Sequence, residues 1–175
     1  MPPITRNLRV RVLVYSDDAD FVAELKQYLP EEQFKVLRAP CFSSLLTQLD
    51  DSMFHAVLFH VNDLEYISRL TDLFRHTTRT PIVLITEKYI PPAIVIGVAA
   101  GAQDAICLAE TSVFELGMRV RFSIERHKLR LEGSVVDSGI VRKDRNSNGV
   151  QLQRATMKLR SATENFARAG ISKAI

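Results

Sequence analysis

Arg9-Val10-Arg11-Val12-Leu13-Val14-Tyr15-Ser16-Asp17-Asp18 is a short apolar run that breaks off at an acidic pair. It is the first of five such runs within residues 1–132. The second is Phe34-Lys35-Val36-Leu37, and the third, Ala56-Val57-Leu58-Phe59, ends at His60. The fourth is Pro81-Ile82-Val83-Leu84-Ile85-Thr86 and the fifth Asp104-Ala105-Ile106-Cys107-Leu108. Short runs rich in Val, Ile and Leu, apolar throughout, read as strands buried on both faces.

Between these runs the apolar residues recur at helical spacing. A first helix spans Asp17 to about Leu29, with Phe21, Val22, Leu25, Tyr28 and Leu29 along it, Asp17 or Asp18 at its N-cap and Pro30 as its stop. A second follows Pro40 with Leu45, Leu46 and Leu49 inward, and a third covers about 64–76. Pro91 or Pro92 opens a fourth, which Gly101 closes. A fifth starts near Thr111 or Ser112 and runs to Glu132, where Gly133 stops it. Strand–helix alternation of this kind implies a parallel sheet covered on both faces. The fold class is α/β, flavodoxin-like: a doubly wound five-stranded parallel sheet of order 2-1-3-4-5, with a C-terminal amphipathic helix appended. The ligand crevice of such a sheet lies at the carboxyl ends of strands 1 and 3, which brings Asp17, Asp18 and His60 into one pocket.

Bulk properties narrow the class further. A chain of 175 residues holds one domain with a core plus an appendage. No apolar run approaches the roughly 20 residues that span a bilayer, and the start, Met-Pro-Pro-Ile-Thr-Arg, has no signal-peptide h-region. The expected location is the cytoplasm, with Cys41 and Cys107 as buried reduced thiols. The formal charge of +3 is unevenly spread. Residues 133–175 carry eight Lys and Arg against three acidic side chains, a balance of +5; residues 1–132 hold the other 15 basic and 17 acidic ones, a balance of −2. The basic character belongs to the tail, where it reads as solvated charge. Phe166 is the one aromatic of the tail and no recognition-helix pattern is present, so no nucleic-acid partner is expected.

The ordered set of strand ends resembles a known family. Val12-Leu13-Val14-Tyr15-Ser16-Asp17-Asp18 is similar to the strand and acidic pair that open a bacterial response-regulator receiver domain (CheY-like). His55-Ala56-Val57-Leu58-Phe59-His60 resembles the strand that ends at its phosphorylated aspartate. Thr80-Pro81-Ile82-Val83-Leu84-Ile85-Thr86 resembles the strand ending in the switch hydroxyl, and Ala100-Gly101-Ala102-Gln103-Asp104 the turn into strand 5. The resemblance covers about residues 9–130. It departs where the chemistry lies: the acceptor aspartate falls on His60, the phosphate-binding lysine on Leu108, the following proline on Ala109 and the aromatic switch residue on Ala105. Only Asp17, Asp18 and Thr86 match.

Transfer of a phosphoryl group to a carboxylate needs an oxygen nucleophile, Mg²⁺ held by oxygen ligands, and positive charge on the equatorial oxygens. Imidazole at residue 60 removes a ligand and the nucleophile together, and Leu108 removes the charge. The resemblance therefore implies a degenerate phospho-site pocket of Asp17, Asp18, His60, Thr86 and Leu108, with no catalytic residue and no cofactor. Three readings of His60 stay open. It hydrogen-bonds Asp17 or Asp18, whose charge raises its pKa; it joins Asp17 and Asp18 in a transition-metal site; or it accepts phosphate or senses pH.

Function then passes to surfaces. The fourth helix, Ala93-Ile94-Val95-Ile96-Gly97-Val98-Ala99-Ala100, has no charge; with Ile94, Val95 and Val98 on the sheet, Ile96 faces outward. The fifth helix has two apolar stripes, Val113, Leu116, Val120, Ile124 and Leu131 on one side and Phe114, Met118 and Phe122 on the other. A helix on a sheet needs one, and in the family this face commonly mediates dimerisation or docking. Residues 133–149 read as a polar linker. Residues 150–175 regain a pattern, with Leu152, Ala155, Leu159, Ala162, Phe166 and Ala169 at alternating three- and four-residue spacing among basic side chains. Ile96, Phe114, Met118, Phe122, Leu152, Leu159 and Phe166 are the expected interaction surface. The resulting expectation is a phosphorylation-independent pseudo-receiver, not an enzyme, acting as a homodimer through a protein partner in a bacterial two-component-type signalling assembly. The alternative is a working phosphorelay, or a metal- or pH-responsive receiver, built on His60 with Asp17 and Asp18.

Overall fold

The computed structural model describes residues 9–62 and 66–137. In chain order the elements are β1 (Val10–Tyr15), α1 (Ala19–Tyr28), β2 (Phe34–Ala39), α2 (Phe42–Asp51), β3 (Ala56–His60), α3 (Tyr66–His76), β4 (Ile82–Thr86), α4 (Pro91–Ala100), β5 (Asp104–Cys107), a 3₁₀ turn at Leu108–Glu110, and α5 (Val113–Asp137). The strands form one parallel sheet of order β2-β1-β3-β4-β5, as the sequence pattern implies.

Strand alternation splits the apolar residues between two cores. Val12, Val14, Leu58, Val83, Ile85 and Ile106 pack with Phe21, Val22 and Leu25 of α1 and with Leu116, Val120 and Ile124 of α5. Leu13, Tyr15, Val57, Phe59, Ile82 and Leu84 face the other way, onto Leu45 of α2 and Tyr66, Leu70 and Leu73 of α3. Each central strand is therefore apolar on both sides, which is why its sequence shows a continuous run instead of alternation.

Asp18 caps α1, its Oδ1 accepting from the backbone N–H groups of Asp20 (2.8 Å) and Phe21 (3.0 Å). Gly101 closes α4 at φ 118°, where a side chain would be strained, and the N–H of Ala102 bonds back to the Gly97 carbonyl at 3.0 Å. At β5, Asp104 takes a bidentate pair of bonds from Arg119 (2.7 and 3.1 Å), fixing α5 to the sheet edge; this pairing, foremost the hydrogen bonds, raises the Arg119 pKa.

Two helix expectations are corrected. Ile96 does not face outward: it is 5% exposed, whereas Val95 is 65% exposed and Val98 also lies in solvent. The reason is Gly97, whose missing side chain lets α4 settle onto β4; a Cβ there would overlap Leu84 Cδ1. Nor does Gly133 stop α5, which continues to Asp137. A single helical glycine costs only about 1 kcal/mol relative to alanine. The expected linker, beyond Asp137, and the seam bearing Leu152, Leu159 and Phe166 lie outside the described residues. Cys41 is exposed at the start of α2, not buried, because it precedes the helix as its N-cap; Cys107 is buried as expected.

Candidate functional site

The carboxyl ends of β1, β3 and β4 meet at the switch point of the sheet. The register aligns Tyr15 with Phe59, so Ser16 follows beside His60, and His60 aligns with Ile85, so Thr86 and Glu87 follow beyond it. Ser16, His60 and Thr86 are all buried.

His60 is 4% exposed. Its ring lies flat on Phe21 of α1, and its Nδ1 is 2.9 Å from Ser16 Oγ. Its Nε2 stands 3.5 Å from Glu87 Oε1, at the very limit of a hydrogen bond, and has no partner at good distance. This overturns the pairing expected from sequence. His60 bonds neither Asp17 nor Asp18; they act on it only through their charge. The direction of the pKa shift is overturned as well. Burial disfavours the imidazolium more than Glu87, Asp17 and Asp18 favour it, and the His60 pKa lies below the ordinary histidine value.

The acidic pair is committed elsewhere. The Asp18 carboxylate caps α1, and the Phe21 N–H above all holds its pKa below the usual value, with Asp20 N–H, His60 and Arg38 adding to the effect. Asp17 is exposed and accepts from Asn62 Nδ2 at 3.3 Å. Arg38, from the end of β2, donates Nε to the Ser16 carbonyl (3.1 Å) and a terminal nitrogen to the Asp17 carbonyl (2.5 Å), clamping the loop after β1. Thr86 Oγ1 is buried without a partner. Leu108 is buried in the same apolar cluster as Phe21, so hydrocarbon occupies the end of β5. Glu87 has its carboxylate half in solvent, while its carbonyl accepts from the Ala109 N–H at 3.2 Å.

These residues do not fit Mg²⁺ held as in an aspartyl phospho-site. One carboxylate is spent on a helix cap, a second points to Asn62, and the third position is an imidazole stacked on a phenyl ring. Among the described residues no three His, Cys, Asp or Glu side chains converge on a possible metal position.

Ser16, Glu87 and Phe21 are the participants that sequence reasoning missed. Ser16 and Glu87 could have been found from strand register, since Ser16 lies one step past Tyr15 and Glu87 two steps past Ile85, both of which pair with β3. The other histidines make their bonds away from this pocket. His55 Nδ1 accepts from the Arg11 N–H (3.0 Å), His76 Nε2 lies 3.0 Å from Asp50, and His127 Nε2 donates to the Thr78 carbonyl (3.1 Å). Phe114, Met118 and Phe122 project into solvent from α5, Phe114 being 76% exposed. Beside them, Val98, Ala102, Leu129, Arg126 and Arg130 line a shallow groove between α4 and α5.

The doubly wound sheet of this order is the flavodoxin-like arrangement, here with an acidic loop after β1 and a hydroxyl at the end of β4. Solved structures agree. The chain is similar to a CheY-like response regulator receiver domain from Methanospirillum hungatei (TM-score 0.59, 19% identity, 70% of this chain and 98% of that one). It is also similar to a response regulator from Thermotoga maritima (TM-score 0.60, 21% identity, 67% and 99%) and to NtrX from Brucella abortus (TM-score 0.63, 22% identity, 74% and 29%). No protein-family model matches the sequence, and no curated protein does. At these identities the likeness is one of fold.

Proposed function

We propose that this chain is a receiver-like signalling domain that works without aspartyl phosphorylation, by protein–protein contact, in a bacterial two-component-type pathway. One observation carries the reading: at the end of β3, where the resemblance puts a phosphoryl acceptor, stands a buried imidazole stacked on Phe21, with Leu108 at the end of β5 in place of a cation. A phosphoryl group there would meet hydrocarbon and three carboxylates, Asp17, Asp18 and Glu87, with no metal ligand set to neutralise them. Direct phosphorylation of His60 is disfavoured too, because its Nδ1 is engaged by Ser16 and the ring is shut from solvent.

Contact surfaces supply the output. The exposed stripe Phe114, Met118 and Phe122 points away from the sheet, and Val95 and Val98 of α4 are also exposed, giving an apolar face on one side of the domain. A homodimer through this face, or through the seam at Leu152, Leu159 and Phe166, is the arrangement the sequence supports. The domain boundaries at 132 and 149, the cytoplasmic location and the absence of enzymatic activity belong to the same proposal. No described helix is long and apolar enough to cross a membrane. The test is incubation with acetyl phosphate and Mg²⁺ followed by intact mass. An unchanged mass is expected, and a phosphoryl adduct overturns the reading.

A further inference from the structure

An imidazolium keeps more of the hydrogen bonds around the end of β3 than either neutral tautomer does. The Ser16 hydroxyl has one proton and two acceptors, His60 Nδ1 at 2.9 Å and the Asp18 carbonyl at 3.2 Å, while it accepts from the Asp18 N–H at 3.1 Å. Across the ring, His60 Nε2 is buried without a hydrogen bond, facing Glu87 Oε1. With the ring proton on Nδ1, Nε2 turns a lone pair toward a carboxylate. With it on Nε2, Ser16 must donate to the ring and gives up its bond to the Asp18 carbonyl, which keeps the first N–H of α1. The imidazolium keeps all of these bonds at once. Nδ1–H donates to Ser16, Ser16 donates to the Asp18 carbonyl, and Nε2–H meets an opposite charge.

We infer that His60 is a proton-operated latch: once charged, it draws Glu87 onto Nε2 and ties the β4–α4 connection, Glu87–Ile90, to the end of β3. The inference rests on the reading that no aspartyl phosphate forms in this pocket, and it names the input that takes its place. Little movement is required, because Glu87 is half-exposed and 3.5 Å away, with its backbone already anchored by Ala109.

The surrounding charges set where the latch works. Asp17 and Asp18 from the β1–α1 loop and Glu87 from the end of β4 favour the cation. Arg38 from β2, held on the Ser16 and Asp17 carbonyls, is the cation bound to the same loop. From α1 comes the uncharged Phe21, and Leu108 at the end of β5 is uncharged as well. Burial outweighs the carboxylates, so the latch closes on the acid side of the ordinary histidine range. Its consequence reaches the docking face directly, since the connection it grips leads into α4, where Val95 and Val98 are exposed.

The test is an NMR pH titration of the full chain. The His60 ring is expected to titrate below the ordinary histidine midpoint, with the amides of residues 87–94 following the same midpoint. Glu87→Gln, a half-exposed change that spares the core, is expected to lower the ring midpoint and abolish the shifts at 87–94. Asp17→Asn is expected to lower the midpoint and keep them. The latch is overturned if the ring stays neutral until acid unfolding, if it titrates without change at 87–94, or if Glu87→Gln leaves those shifts in place. Failure of the underlying reading shows separately, as a mass adduct with acetyl phosphate.

Discussion

The His60 imidazole and the Phe21 ring are stacked with centroids 3.6 Å apart and planes 4° from parallel. Phe21 sits in the first turn of α1, three residues after the N-cap Asp18 whose carbonyl faces Ser16, so one side chain of α1 seals the end of β3. The pocket is thereby built around an aromatic heterocycle, not around a small carboxylate.

Restoring the acid should therefore fail. In His60→Asp the carboxylate leaves a gap over Phe21 and is buried facing Asp17, Asp18 and Glu87, a like-charge cluster that raises its pKa. The expected loss of stability is about 3 kcal/mol or more. Because the folded-state pKa is raised, the folded protein binds more protons than the unfolded chain, and the loss grows as pH rises. Urea denaturation on both sides of neutrality measures it. The mass after acetyl phosphate treatment should stay unchanged, since Leu108 still supplies no charge.

Wild-type stability should fall with acid in a defined window. The His60 pKa is lowered by burial, so as pH drops through the ordinary histidine value, near 6.5, the unfolded chain takes up a proton before the folded one does. Stability is full above that value, declines below it, and levels off beneath the lowered folded pKa. His60→Gln should flatten this decline. A residual slope of the same sign is expected from His127, whose pKa burial also lowers. A decline unchanged in His60→Gln would count against the assignment.

Gly97 offers a packing test. Its Cα rests where a Cβ would overlap Leu84, a buried β4 side chain beneath α4. Gly97→Ala should cost about 1–3 kcal/mol by overpacking, despite alanine's higher helix propensity. Leu84→Ala should cost about 2–5 kcal/mol alone. The double variant should lose less than the sum, because each change relieves the other, and a strictly additive result would argue against this contact.

Cys41 and Cys107 should react unequally. Cys41 is exposed, and a hydrogen bond with Ser43 (3.2 Å), together with the N–H groups of Ser44 and Ser43, lowers its thiol pKa. Cys107 is buried, its Sγ directed at the Glu87 carbonyl. Timed alkylation of the folded protein should label Cys41 first, with Cys107 protected until unfolding.

Where continuous apolar runs or stop residues mark an element, the fold was legible in the sequence. Pro30 and Gly101 act locally, so each marks its boundary without knowledge of the rest of the chain, whereas the choice between Asp17 and Asp18 as the cap of α1 is made by the structure. The rotation of α4 was not legible, because a helix without a polar residue has no preferred side until Gly97 meets Leu84. In the pocket, His60 was visible but its partners were not. Whether it reaches Asp18 or Ser16 depends on the β1–β3 register, and Glu87 comes close only through the β3–β4 register. The sign of its pKa shift depends on burial, which competes with three carboxylates that sequence shows equally well.

Phe114, Met118 and Phe122 separate folding from association. They lie opposite Leu116, Val120 and Ile124, which fill the core, so Phe114→Ser, Met118→Ser and Phe122→Ser should each change stability by no more than about 0.5 kcal/mol. Solution mass should respond far more. If two copies meet along α5, three apolar side chains removed from water supply the attraction, and the triple variant should sediment as a monomer at concentrations where the parent is dimeric. A parent that is monomeric at every concentration removes the homodimer. A triple variant that stays dimeric moves the contact off this stripe, and a chain ending at Asp137 then shows whether the segment bearing Leu152, Leu159 and Phe166 carries it.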